Sequence, residues 1–79
     1  MTREPITTVA ELEKLDSDEI LEGYYDGRHG EPAPGGNRSF SYWHGWRNGM
    51  IDSYRMPPDP AAHALARDCI RTGYFRRLR

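Results

Sequence analysis

Arg67, Arg71, Arg76, Arg77 and Arg79 crowd the C-terminal end of this 79-residue chain, with His63, Tyr74 and Phe75 among them. A guanidinium group forks onto phosphate or carboxylate oxygens two at a time. Basic side chains interleaved with aromatic rings are a footprint of nucleic-acid binding. A solvated helix face followed by a frayed tail would give the same pattern. In a third reading, the strip His63, Arg67, Arg71 docks on an acidic helix of the same chain or of a second copy.

The stretch SYWHGWRNGM, residues 41–50, is the other concentration of chemistry. Trp43 and Trp46 could stack on unpaired bases. Their spacing also matches an apolar helical arc, and a domain this small needs its aromatics inside, so both are expected in the core. His29, His44, His63 and Cys69 lack the spacing of a metal site. No phosphate loop, nucleophile elbow or zinc-protease motif occurs. Asp52 and His44 stand eight residues apart on one helix, too far to act as a pair. No catalytic residue, metal ligand, cofactor or small-molecule substrate is therefore expected, and the chain does not read as an enzyme.

A single cysteine, Cys69, cannot make an internal disulfide and fits a reducing compartment. No apolar run approaches a membrane span, and the N-terminus lacks a signal-peptide core. The expected setting is the cytoplasm, with no membrane partner. The net charge of −1 conceals an asymmetry. Residues 1–36 carry nine acids against Arg3, Lys14 and Arg28; residues 37–79 carry eight arginines against three acids. Such halves complement each other, or turn one side to an anionic partner.

The elements that must position these residues are helical. Thr8 and Glu11 form a capping-box pattern ahead of Leu12 and Leu15. Asp16 or Ser17 can cap a second helix, Ser17 to His29. On its wheel Ile20, Leu21, Tyr24 and Tyr25 share one side, with Gly23 and Gly27 at the edge; Asp18, Glu19, Glu22 and Asp26 share the other. GEPAPGGN breaks the chain. Ser39 caps a third helix, Phe40 to Arg55, on which Tyr42, Trp43, Trp46, Met50 and Tyr54 form an apolar arc bordered by Gly45 and Gly49. Asp59 caps a fourth, with Pro60 in its first turn and Gly73 as its stop. Its expected buried side is Ala61, Ala62, Leu65, Ala66, Cys69 and Ile70.

The chain thus reads as all-α, a single small helical domain over 1–79. An N-terminal arm with a short helix covers 1–16. A helical hairpin, expected antiparallel, covers 17–55. A C-terminal helix and basic tail cover 56–79. Small residues at four-residue spacing allow close helix approach, so the glycines of each helix are expected to accept the rings of the other.

Gly23-Tyr24-x-x-Gly27-x-x-Gly30, followed by Arg38-Ser39 and Gly45-Trp46-Arg47-x-x-Met50, resembles the ribosome modulation factor family over about residues 21–52. The resemblance implies two helices and a linker that bind the small ribosomal subunit in stationary phase and promote inactive ribosome dimers. It makes Arg38 and Arg47 candidate RNA contacts and gives Gly23, Tyr24, Gly27, Gly45, Trp46, Gly49 and Met50 packing roles. Arg47 could equally pair with an acid of the second helix. The chain departs from the short, strongly basic members in its acidic N-terminal half and its extra segment from Pro57 onward. Two functions follow as expectations. In one, the chain binds RNA or the ribosome through Arg38, Arg47, His63, Arg67, Arg71, Arg76 and Arg77. In the other, it is a protein-interaction module or homodimer that joins acidic and basic faces.

Overall fold

Each helix begins where a side-chain oxygen accepts an otherwise unpaired backbone N–H. The computed structural model describes residues 3–74, and the helices among them are α1 (Val9–Leu12), α2 (Ser17–Arg28), α3 (Phe40–Asp52) and α4 (Pro60–Thr72). Their caps are Thr8, Asp16, Ser39 and Asp59, which accept from the N–H of Glu11, of Asp18 and Glu19, of Tyr42, and of Ala62. No strand occurs among the described residues, and the fold is all-α. The chain divides into two compact units: Leu15–Pro57, and Met1–Lys14 with Pro58–Arg79.

In the Leu15–Pro57 unit, α2 packs along α3 through glycine. A Cβ on Gly23 would overlap the carbonyl oxygen of Tyr42 and stand 2.9 Å from Trp46 N; one on Gly27 would overlap that of Trp46 and stand 3.0 Å from Met50 N. From the other side, a Cβ on Gly45 would overlap the carbonyl of Ile20, and one on Gly49 that of Tyr24. The glycines therefore accept backbone, not rings.

These pairings correct the expected direction. Position 23 meets 42 and 27 meets 46; 20 meets 45 and 24 meets 49. Both series ascend together, so α2 and α3 run parallel, not antiparallel. The helix ends agree. Near the N-termini, Asp16 N–H donates to Ser41 Oγ (2.9 Å); near the C-termini, Arg55 Nε donates to the Arg28 carbonyl (3.4 Å). A parallel pair needs a connection that runs back the length of a helix. The eleven residues from His29 to Ser39 can span about 36 Å, against about 20 Å for α3. The Gly/Pro segment is therefore a return strap, tied down where the Trp46 indole N–H donates to the Glu31 carbonyl (2.8 Å) and Arg38 meets Glu22 (3.1 Å). Parallel dipoles put like ends together. Acids at the start of α2 and Arg28 and Arg55 at the shared C-terminal end oppose that penalty.

The buried faces follow the glycines. Gly23 and Gly27 are buried on α2, while Leu21 and Tyr25, expected on the packing side, are exposed. On α3, Ser41, Tyr42, His44, Gly45, Trp46 and Gly49 are buried, and Trp43 and Met50 are half-buried. The third helix stops at Asp52, three residues before the expected end. Arg55 N–H donates to the Met50 carbonyl (2.9 Å) and Tyr54 N–H to that of Ile51 (3.1 Å), a Schellman closure that sets Tyr54 at φ 63°. Tyr54, expected in the apolar arc, is 96% exposed instead.

In the other unit α1 lies against α4, and Val9 N–H donates to Asp68 Oδ2 (2.8 Å). Ile6, Val9, Leu65 and Cys69 are its buried apolar residues. Ala66 and Ile70, expected inside, are exposed. The inward stripe of α4 is narrower than its apolar composition, and its flank is taken by Asp68, which serves the start of α1. Gly73 ends α4 at φ 70°, as expected.

Candidate nucleic-acid interface

Arg38, Arg47 and Trp43 all belong to the Leu15–Pro57 unit. Phe40, Trp43 and Arg47 follow at spacings of three and four and so share one side of α3. The rings of Phe40 and Trp43 lie 5.4 Å apart at 50°, and the Arg47 guanidinium carbon is 5.4 Å from the Trp43 ring centre. All three side chains are half-buried. The result is a ladder of planar groups along the helix, aromatic at one end and cationic at the other. The two tryptophans thus have different places. Trp46 is core, bound to the strap; Trp43, also expected in the core, is half-buried.

Arg38 ends the strap. Its guanidinium carbon sits 4.2 Å from the Tyr42 ring centre, and its Nη1 pairs with Glu22 at 3.1 Å. Beneath it, the Tyr42 hydroxyl donates to Asp26 Oδ2. Burial first, and the Asp26 carboxylate second, push the Tyr42 phenol up to about 12. Two of the four acids on the exposed side of α2 are therefore occupied, Glu22 by Arg38 and Asp26 by Tyr42. At the other end, the Tyr24 hydroxyl donates to Asp52 (2.7 Å), and the Arg28 guanidinium lies over the Tyr24 ring. Met50 gives its carbonyl to the closure of α3.

His44, outside the expected set of site residues, is buried within α3. Its Nε2 accepts from the Asn48 amide (3.1 Å), which puts the ring proton on Nδ1. Burial, helped by the Arg47 charge, lowers its pKa to about 4, so it is neutral at pH 7. Asn48, one turn on, was the available signal.

The other candidates lie in the second unit. His63, Arg67 and Arg71 are exposed along α4. Arg71 pairs with Asp68, the carboxylate that also receives Val9 N–H, and these contacts hold that carboxyl below its usual range, the Val9 bond first. Arg76 and Arg77 lie outside the described residues. No group of three or more His, Cys, Asp or Glu able to hold a metal occurs among the described residues. No helix among them is long and apolar enough to cross a membrane. No family model matches the chain, and comparison with curated proteins and with solved structures likewise returned no match.

Proposed function

We propose that this chain is a small, non-enzymatic cytoplasmic protein that binds RNA or the ribosome and so modulates translation, in the manner its resemblance to the ribosome modulation factor family implies. The observation that carries the reading is the Phe40–Trp43–Arg47 ladder. It places two aromatic rings and a guanidinium together on the helix that holds the Gly45-Trp46-Arg47 element. The pairing of Glu22 with Arg38 supports it further, because it offsets one of the acidic charges facing an incoming phosphate. The test is co-sedimentation with purified ribosomes across a salt series. Binding that weakens steeply with salt is expected, and no co-sedimentation at low salt would sink the proposal.

A second reading draws on the Arg38–Glu22 and Arg71–Asp68 pairs. Arginines already matched to carboxylates suit a protein-interaction module or homodimer whose charged faces complement one another. Sedimentation equilibrium separates the two: a monomer at high concentration removes the homodimer.

A further inference from the structure

We infer that the chain associates with a second copy of itself by laying the outer face of α4 on the outer face of the other copy's α2. The inference rests on the homodimer reading above and names the two surfaces that meet. Three observations lead to it.

The first is apolar surface left outside a small core. Six apolar residues are buried among the described ones, while Leu21, Tyr25 and Ile70 are 59%, 63% and 73% exposed. Leu21 and Tyr25 stand one turn apart on α2. Ile70 stands one turn after Ala66 on α4, and Ala66 is exposed as well. The Tyr25 ring stacks on His29, with centres 5.7 Å apart and planes at 13°, which steadies it along the helix. Each unit therefore carries a short apolar stripe on the side turned away from its own buried residues.

The second is a shared register. On α2 the face reads Asp18, Leu21, Glu22, Tyr25; on α4 it reads His63, Ala66, Arg67, Ile70. Both follow the spacing i, i+3, i+4, i+7 of one helix side, and all eight residues are exposed. Apolar positions match apolar positions, and acids match bases. The small Ala66 leaves room for a large ring from the facing helix, as interdigitating helix surfaces require.

The third is charge. Arg71 is held by Asp68 of its own helix, whereas Arg67 enters no ion pair among the described residues. Glu22 already meets Arg38, but a carboxylate accepts from more than one donor. Two α2 faces repel each other, as do two α4 faces, so only unlike faces fit. Both members of the match belong to one sequence, so a second copy supplies each face with its complement. Made twice about a two-fold axis, the contact closes a dimer.

The experiment follows sedimentation velocity of the full chain from micromolar to millimolar concentration, at low and high salt, with far-UV circular dichroism as the check on folding. A dimer should build up with concentration and weaken as salt is added. Ile70→Asp should weaken association at least about tenfold with helicity unchanged. Two charge-reversed chains give the decisive comparison: Asp18→Lys with Glu22→Lys, and His63→Glu with Arg67→Glu. Each alone should stay monomeric, because like charges then meet at both contacts. Their equimolar mixture should dimerise, because one contact of the mixed pair is native and the other is reversed on both sides. If the native chain is a monomer at every concentration, this inference and the homodimer reading fall together. If it dimerises but the mixture stays monomeric, or Ile70→Asp dimerises as well as the native chain, the homodimer reading stands and the α2–α4 contact falls.

Discussion

Gly45 lies so close to Ile20 that a Cβ on the glycine would overlap the isoleucine's carbonyl oxygen and come within 2.9 Å of Tyr24 N. The obstacle is helical backbone, which cannot rotate away as a side chain could. Gly45→Ala should therefore destabilise the chain by about 3 kcal/mol, although alanine gains about 1 kcal/mol in intrinsic helix propensity. Gly23→Ala should behave alike, since its Cβ would overlap the Tyr42 carbonyl. Gly36 is the control: a Cβ there meets nothing within 4 Å, and Gly36→Ala should be neutral or slightly stabilising. Urea unfolding of the three variants checks this, and a stabilised Gly45→Ala would refute the parallel glycine contact.

Tyr54→Gly should stabilise the chain by about 1 kcal/mol. The tyrosine closes α3 with φ 63°, a conformation that costs an L-residue roughly 1–2 kcal/mol and glycine little. With the ring 96% exposed, almost no packing is lost in exchange. Thermal unfolding should show a raised midpoint, and a lowered one would mean that the ring makes a stabilising contact.

The bond from the Tyr42 hydroxyl to Asp26 predicts an alkaline limb. The phenol is pushed up to about 12 from its ordinary 10.0, chiefly by burial and then by Asp26. Between those values the unfolded chain loses its phenolic proton while the folded chain keeps it. This contribution is complete below pH 10 and lost as pH rises towards 12. Tyr42→Phe should flatten that limb and cost about 1–2 kcal/mol at neutral pH by leaving Asp26 without its donor. Stability measured from pH 8 to pH 12 for both proteins tests it. Equal slopes would rule the pair out as the cause.

What was legible in the sequence was local. Thr8, Asp16, Ser39 and Asp59 each declare a helix start through one side-chain oxygen, and Gly73 declares a stop. The faces were harder to read, because a hydrophobic wheel gives glycine no weight, whereas closest approach occurs where a side chain is missing. Leu21, Tyr25 and Ile70 show the difference: each is apolar on the expected side of its wheel and exposed in the fold. Pairing direction is non-local. The feature that allows parallel packing is the connection itself, an eleven-residue segment long enough to return along a helix. The candidate site was legible in composition but not in placement. The two tryptophans stand three residues apart on one helix, and what separates them is non-local: Trp46 sits against Gly23 and Gly27 of α2 and donates to the strap's Glu31 carbonyl.

Acid should unfold the two units' contacts in separate windows, because their sensitive groups have opposite chemistry. In the Leu15–Pro57 unit, His44 is buried and neutral with its pKa lowered from 6.5 to about 4. Below pH 6.5 the unfolded chain takes up a proton that the folded chain refuses. Stability therefore falls as pH drops from 6.5 to about 4, by about 3 kcal/mol in all, and levels off below. In the other unit Asp68 must stay charged to receive Val9 N–H and Arg71, and its pKa is lowered from 3.8. Its contribution is present above pH 3.8 and fades as pH falls through the lower folded value. Two variants separate these effects. His44→Asn should remove the dependence between pH 6.5 and 4, whatever it does to absolute stability. Asp68→Asn should leave that window intact and remove the dependence below it. Urea midpoints measured from pH 7 to pH 2.5 provide the readout. A wild-type curve flat from pH 6.5 to 4 would show that His44 titrates in the folded chain as freely as in the unfolded one.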